Sequence, residues 1–424
     1  MNLARLRGTM IYAAGLMAGM LGVGINFLMQ IMLTRYLGTA GFGLFSVWRN
    51  NVHLASAVGT LSVQTLALRD VSHPDWKADP ARVTAFLVAG SSLVIALSGI
   101  TTMLIVWPFS PPQFHILASL LAAWGLGLLA FWAAANRAFS GGVGALVLER
   151  AGQPFLFATL ALAAILGWVQ PDVTGLGWGY AASAMIALLT VVALAGAIWR
   201  RGLPVVLSGT VGFAADGNTP LSIARRAIPF FLISLASFFS ARSPLFVAGF
   251  IFAPEELGRL AFMLSLAGLV SVLLFSINLV AGPRIAAAFA AGEMRRAHAE
   301  VRRVRWLAGG LGIVTAAALM AGVPLVEQLA GAPGLIDRQA FALLLAGGLI
   351  TVLLAPAALY LQMTNGQATL ARVLNTAVII KLLLLYPLGL YYGIIGVAVA
   401  EVLQSLIVGS VIAFVYHRAV RQGT

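Results

Sequence analysis

Long stretches without charged residues recur along the whole sequence. The longest of them, residues 83–136, contains no Asp, Glu, Lys or Arg. An ionised side chain in the hydrocarbon of a bilayer is costly, whereas an apolar helix satisfies all of its own backbone hydrogen bonds there. The composition agrees, because 61% of the residues are hydrophobic and only 9% are charged, against about 25% charged in soluble domains. The sequence therefore predicts an all-α integral membrane protein and excludes a soluble enzyme or scaffold.

Twelve apolar stretches fit the length of a membrane-crossing helix, about 20 residues. A more polar break near residues 200–226 divides them into six and six, so we predict an N-terminal lobe, 1–205, and a C-terminal lobe, 206–424. The predicted spans are residues 9–34, 42–67, 84–107, 114–136, 146–168, 176–199, 227–252, 258–281, 306–326, 339–361, 370–390 and 394–416.

The distribution of basic residues predicts the orientation of these spans. With both termini in the cytoplasm, most of the 26 Lys and Arg residues lie on the inner side, and only Arg35, Arg259 and Arg338 lie outside. The net charge of +13 then reflects arginines that face anionic lipid headgroups. We therefore expect the lipid bilayer, and no nucleic acid, as a partner. The basic segment at about 283–305 is predicted to be an amphipathic helix that lies along the inner interface.

The inventory of reactive side chains argues against an enzyme. The chain has no cysteine, its five histidines are scattered, and no pair of carboxylates is spaced for acid–base chemistry. Every predicted outer loop is also short, whereas a membrane-bound glycan polymerase or ligase needs an extended loop with catalytic groups. We therefore expect no catalytic site, no metal and no cofactor.

Four Arg, Lys or Glu residues lie in the interior of predicted spans, at least seven residues from either end, and are candidates for a functional site, because such residues usually face a water-filled interior. They are Arg49, Arg242, Lys381 and Glu401.

Arg49 begins a polar stripe on the second predicted span. It is followed by His53, Ser56, Thr60 and Gln64 at steps of four, three, four and four residues, which places all five on one helical face. We predict that this face lines a cavity. The alternative is that the stripe only makes hydrogen bonds between packed helices.

The other candidates allow two interpretations each. Arg242 lies two residues before Pro244, which leaves a backbone carbonyl one turn earlier without its helical hydrogen bond. The arginine is either part of the functional site or extends its side chain to the outer membrane interface. Lys381 and Glu401 either neutralise each other, or Glu401 binds a coupling ion. Arg35 ends the first span as an anchor or as part of an outer gate.

One arginine from each half, turned to a shared cavity, predicts an anionic substrate, and the planar guanidinium suits phosphate in particular.

Four short stretches resemble motifs of a known family. Residues 33–50 are similar to the first loop of the polysaccharide-unit flippases in the multidrug, oligosaccharidyl-lipid and polysaccharide exporter superfamily. The residues that carry this match are Arg35, Leu37, Gly38, Phe42, Gly43 and Phe45. Residues 255–258 (EELG), the stretch 278–283 and residues 393–398 (GIIGVA) add to the resemblance.

The resemblance implies two six-helix lobes around a central cavity. It also implies that the protein flips polyprenyl-diphosphate-linked sugar units from the inner to the outer leaflet of the bacterial cytoplasmic membrane, with enzymes of polysaccharide biosynthesis as further partners. Arg49, Arg242, Arg35 and Lys381 then match the cationic cavity residues of such proteins, beside His53 and Gln64 of the stripe. Drug-exporting relatives carry a carboxylate in the first half that is missing here. The alternative function is a cation-coupled drug or metabolite antiporter, for which Glu401 is the carboxylate candidate in the interior of a span.

Overall fold

The structure is a computed structural model that describes residues 3–73, 75–76, 79–140, 145, 147–166, 172–196, 219–363 and 366–422. All regular secondary structure in these ranges is helical. The helices are α1 (Leu3–Gly59), α2 (Val63–Val71), α3 (Pro80–Thr101), α4 (Trp107–Phe109), α5 (Ile116–Ser140), α6 (Gln153–Ile165), α7 (Val173–Leu194), α8 (Pro220–Ala248), α9 (Pro254–Ala290), α10 (Met294–Ala321), α11 (Val323–Ala330), α12 (Arg338–Met363) and α13 (Gln367–Gln422). Five-residue π-helical turns, Thr102–Val106 and Leu148–Gly152, precede α4 and α6.

Two of these helices are much longer than a single crossing of the bilayer requires. Helix α1 has 57 residues and α13 has 56, whereas about 20 residues span the hydrocarbon. Each is interrupted at a glycine with non-helical dihedral angles, Gly38 (φ 70°, ψ 172°) and Gly393 (φ 61°, ψ −144°). Both conformations are essentially restricted to glycine, so these two residues allow the chain to turn and cross again.

With α1 and α13 each divided at its glycine, the described helices correspond to all twelve predicted spans. Residues 146 and 167–168, at the two ends of the fifth span, and residues 197–199, at the end of the sixth, lie outside the described residues. By length and hydropathy alone, seven of the described helices are able to cross a membrane, and the bent helix α8 would be an eighth. This number counts α1 and α13 once each, although each is divided by a glycine. The predicted all-α membrane fold is therefore confirmed.

The chain forms two compact units. The first comprises Met1–Met29 and Leu44–Phe238, and the second comprises Gln30–Gly43 and Phe239–Thr424. The predicted boundary at 205/206 lies outside the described residues and stays a prediction. Within the described residues, one division between the two units lies between Phe238 and Phe239 in α8. In the first unit a core of small and aromatic residues packs α2, α3 and α5, with Phe131 closely covering Gly90.

The second predicted span is not a single helix, which corrects the prediction of one continuous polar face. Helix α1 ends at Gly59, and Leu61 (φ 47°) and Ser62 (φ 57°) adopt left-handed conformations before α2 begins at Val63. At Gly59 the neighbouring helix approaches so closely that a side chain would collide with Ser98. The stripe is thus divided between α1, the break and α2.

The predicted interfacial helix at about 283–305 is likewise wrong as a single element. Helix α9 continues to Ala290 and the chain turns at Gly292 (φ 73°), where Gly292 N–H donates to the Phe289 carbonyl and Glu293 N–H to the Ala288 carbonyl. This pair of bonds is a Schellman motif, which ends a helix at a left-handed glycine. The basic residues after the turn belong to α10, which continues into the apolar sequence after Trp306.

Candidate functional site

Arg49 lies in the first unit on the part of α1 that follows Gly38. Its side chain is partly buried, and its Cζ atom lies 5.7 Å from the ring centroid of Phe45, one turn earlier on the helix. Phe45 is fully buried and stacks on Phe157 at 5.6 Å. A cation–π contact holds a guanidinium without neutralising it. No carboxylate pairs with Arg49 among the residues that the structure describes.

His53 lies one turn after Arg49 and is held by a tyrosine from α7. The His53 Nε2 atom is 2.7 Å from the hydroxyl of Tyr180, which is 3% exposed. Tyr180 in turn packs edge-on against Phe157 at 5.0 Å. Because Tyr180 is packed among aromatic rings, its hydroxyl gives the imidazole of His53 a defined orientation.

Gln153 and Ser183 extend this polar group and were not predicted from the sequence. Gln153 Nε2 donates to Ser183 Oγ at 3.1 Å, and Ser183 Oγ donates to the Tyr180 carbonyl at 2.7 Å. The signal was a buried glutamine at the start of an otherwise apolar helix, α6. We call Arg49, His53, Gln153, Tyr180 and Ser183 the first polar cluster.

The rest of the stripe is packed against neighbouring backbone. Ser56 and Thr60 are buried, and the Thr60 hydroxyl donates to the Ala57 carbonyl in its own turn. Thr101 of α3 donates to the Ala55 carbonyl at 2.7 Å. Gln64, on α2, has a buried Oε1 with no hydrogen-bond partner among the described residues. This half of the stripe has the geometry of interhelical packing.

Lys381 is the most deeply buried cation among the described side chains of the second unit, with 1% exposure. Its Nζ lies 2.5 Å from Glu401 Oε1 and donates to the Ser240 carbonyl at 2.5 Å. That carbonyl has no helical N–H partner because the residue four positions later is Pro244, which has none. Gln404 Nε2 donates to Ser240 Oγ at 2.6 Å. We call Ser240, Lys381, Glu401 and Gln404 the second polar cluster.

The proline therefore has a defined function in the structure. It leaves one carbonyl unpaired inside the membrane, and a buried ammonium group satisfies it. Lys381 needs both partners, since a charge without compensation inside a bilayer is strongly unfavourable.

Arg242 and Arg35 lie in the second unit outside this cluster. Arg242 is partly buried on α8, and its neighbour Ser243 is 1% exposed with an Oγ that lacks a partner among the described residues. Arg35 is exposed, and its Cγ lies near Gly331 at the end of α11. Arg49 and Arg242 belong to different units, and their convergence on one cavity stays a prediction.

Ion pairs outside the predicted site were also missed. Arg137 Nη2 lies 3.1 Å from Glu149 Oε2, and Arg226 Nη1 lies 2.9 Å from Asp70 Oδ2. Glu149 lies at the beginning of the fifth predicted span, where its charge alone was a signal of an interhelical partner.

Two of the sequence motifs turn out to be one packing contact in the second unit. At Gly43 a side chain would collide with the Pro254 carbonyl, and at Gly258 it would collide with the Thr39 carbonyl. Phe42 packs edge-on against Phe262 at 6.0 Å. The motif at residues 393–398 also makes a close packing contact, because Gly396 lies directly against the backbone of the chain before the Gly393 kink. The glycines are thus required by close helix approach.

The fold is that of transporters of the MOP superfamily. The chain is similar to the lipid II flippase MurJ in an inward closed conformation, with 12% identity, a TM-score of 0.71, and coverage of 96% of this chain and 87% of that chain. It is also similar to a multidrug resistance MATE family transporter in an inward-facing conformation (14% identity, TM-score 0.65, 97% and 98% covered). A MOP superfamily transporter from Pyrococcus furiosus matches with 14% identity and a TM-score of 0.56, over 97% of this chain and 96% of that chain.

The family follows from the sequence itself. Residues 7–289 match the family described as "Polysaccharide biosynthesis protein", and the chain belongs to this family. No curated protein sequence matches the chain. The protein is thus a multi-pass membrane protein of the polysaccharide biosynthesis protein family, and its fold is like that of MOP superfamily transporters.

Proposed function

We propose that the protein flips polyprenyl-diphosphate-linked oligosaccharide units from the inner to the outer leaflet of the bacterial cytoplasmic membrane, with both termini in the cytoplasm. The observation that carries this proposal is Arg49, a partly buried guanidinium that rests on an aromatic ring and pairs with no carboxylate among the described residues. The family and the likeness to a lipid II flippase support it.

The chemistry of such a substrate fits this site. A diphosphate headgroup is too polar to cross hydrocarbon unaided, whereas its polyprenyl tail never needs to leave it. Arg49 would bind two phosphate oxygens with its planar fork, and His53, oriented by Tyr180, would donate a further hydrogen bond. Gln153 and Ser183 would keep the imidazole partner in place.

Arg242 would provide the second guanidinium, on the other unit. Alternating access between the two units would then carry a headgroup held by both arginines across the membrane. Moving about two negative charges outward through an inside-negative potential of 100 mV releases roughly 4–5 kcal/mol, so the membrane voltage itself favours export.

The antiporter alternative requires a carboxylate that is free to bind a coupling ion. Glu401 is the candidate, and its Oε1 lies 2.5 Å from the ammonium group of Lys381. A carboxylate that already has a buried counter-ion offers little to an external cation. This pairing supports the flippase over the antiporter.

The two functions can be separated with purified protein in liposomes. For a flippase, a polyprenyl-diphosphate-linked fluorescent sugar should move from one leaflet to the other, measured as loss of protection from a membrane-impermeant quencher. Movement should not require a sodium or proton gradient. A matched polyprenyl monophosphate should move more slowly, because it offers fewer oxygens to the arginines.

The same liposomes provide the opposing test. Gradient-driven uptake of a cationic dye, with no movement of the labelled lipid, would contradict the flippase and support the antiporter. The Arg49→Ala variant is the control that links lipid movement to the first polar cluster.

A further inference from the structure

A pocket of about 470 Å³ lies between the end of α9 and the beginning of α10. We call it the hairpin pocket. It belongs to neither polar cluster and is lined by Arg284, Ala288, Ala291, Glu293, Arg296, Glu300 and Arg303.

The lining residues on α10 and at its N-cap, Glu293, share one helical face. Glu293, Arg296, Glu300 and Arg303 follow each other at steps of three, four and three residues. Ala288 and Ala291 line the opposite side of the pocket, and their small side chains do not fill it. The pocket therefore lies at the Schellman turn that separates the two helices.

Two of the three arginines in the pocket are paired. Arg284 Nη1 lies 3.3 Å from Glu300 Oε1, and Arg296 Nη1 lies 2.9 Å from Glu293 Oε2. Arg303 is exposed and has no ion pair with any described residue. The lining therefore has one net positive charge, and that charge is on Arg303.

The depth of the pocket follows from the residues after Arg303. Trp306 is 77% exposed and Leu307 is 51% exposed, and an exposed tryptophan before an apolar run marks the membrane interface. Arg303 precedes Trp306 by three residues, about 4.5 Å along a helix. The headgroup layer extends about 5–7 Å beyond the hydrocarbon on each side. The pocket thus opens at the level of the lipid phosphates.

We propose that the hairpin pocket binds the phosphate group of an anionic phospholipid from the cytoplasmic leaflet. A phosphodiester with one negative charge matches the single net charge of the lining, and the guanidinium of Arg303 offers it two parallel hydrogen bonds. Arg284 and Arg296 neutralise the two carboxylates that would otherwise repel the phosphate. The surrounding arginines of α10 raise the local concentration of anionic lipid.

Retention of phosphatidylglycerol by the purified full-length protein tests this site, and native mass spectrometry counts the retained lipids. The unchanged protein should keep one phosphatidylglycerol after delipidation, and Arg303→Gln should weaken retention about fivefold. The matched control is Arg295→Gln, which removes the same charge from an exposed position of α10 outside the pocket. Arg303→Lys should restore retention in part, because the charge returns without the fork.

Three outcomes would overturn the proposal. Equal loss in Arg303→Gln and Arg295→Gln would show only general attraction to the membrane surface. Equal retention of zwitterionic phosphatidylethanolamine would remove the charge argument. Displacement of phosphatidylglycerol by equimolar polyprenyl diphosphate would assign the pocket to the transported lipid. A thermal unfolding scan of each variant shows whether the fold is intact, and no result depends on transport.

Discussion

Arg49 and Lys381 are both cations inside predicted spans, but they are held in different ways. Lys381 is enclosed by a carboxylate and a backbone carbonyl, both within 2.5 Å, so its charge is compensated. Arg49 has an aromatic ring on one side and no carboxylate among the described residues. The first arrangement compensates its charge within the second unit, whereas the second is the one for which we propose the phosphate of the substrate as the partner.

Removal of the Arg49 guanidinium should reduce transport. We expect Arg49→Ala to lower the rate of lipid flipping about tenfold to a hundredfold, since a charge-assisted hydrogen bond contributes about 1.5–3 kcal/mol. Arg49→Lys should retain an intermediate rate, because it preserves the charge and loses the bidentate geometry. The rate is measured per molecule in liposomes, after the membrane abundance of each variant has been matched. Wild-type rates in Arg49→Ala would exclude Arg49 from substrate binding.

Removal of either partner of the Lys381–Glu401 pair should destabilise the protein. We expect Glu401→Gln to lower the free energy of unfolding more than Lys381→Met does. The first variant leaves a wholly buried ammonium group without a counter-ion, whereas the second leaves the carboxylate of Glu401, which is 21% exposed. Breaking a buried pair costs about 3–5 kcal/mol, and the double variant should recover much of this loss.

Thermal unfolding in detergent measures these three variants. A Glu401→Gln protein of unchanged stability that had lost gradient-driven transport would identify Glu401 as an ion-coupling residue instead. A wild-type result in both assays would leave the pair without either role.

At the level of helices, three interruptions organise the chain. Gly38 and Gly393 divide two long helices, and Gly292 separates α9 from α10. Each has a positive φ, and at none of the three would an added Cβ meet another atom within 4 Å. The backbone conformation, rather than close packing, is therefore what requires glycine at these positions.

Alanine at the two kinks should destabilise the protein through backbone strain alone. We expect Gly38→Ala and Gly393→Ala each to cost about 1–3 kcal/mol of unfolding free energy. Gly310→Ala is the matched control, because it also has free space around its Cβ but lies in the regular helix α10. That substitution should be neutral or stabilise by up to about 1 kcal/mol. Equal effects at Gly38 and Gly310 would contradict the assignment of the kink to glycine.

At the level of the whole molecule, the distribution of charge predicts which side of the membrane each turn faces. The turn at Ala291 is predicted to be cytoplasmic, and those at Gln113 and Pro333 are predicted to be external. All three residues are exposed. These positions alternate as expected for twelve spans with both termini inside.

The absence of cysteine from the chain makes this orientation directly measurable. Single cysteines at Gln113 and Pro333 should react with a membrane-impermeant maleimide in intact spheroplasts, and a cysteine at Ala291 should react only after the membrane is opened. The cysteine-free chain is the background control. Labelling of Ala291→Cys in intact cells would reverse the predicted topology.

The sequence by itself was sufficient for the approximate positions of the apolar spans and for the class of fold, although not for the breaks at residues 60–62 and Gly292. In lipid, every backbone hydrogen bond must be made within the helix, so apolar length alone defines the spans. The glycine in the basic segment at 283–305 also carried a local signal for a helix end, which the prediction of a continuous amphipathic helix did not use.

Only the tertiary structure decided which polar side chains meet. His53 reaches a tyrosine 127 residues away, and Lys381 reaches a carbonyl 141 residues away. Such contacts depend on which helix faces pack together, and periodicity within one helix does not specify its neighbour. For the same reason the five-residue stripe, continuous in the sequence pattern, separates in three dimensions into a polar cluster around Arg49 and a packed interface around Ser56.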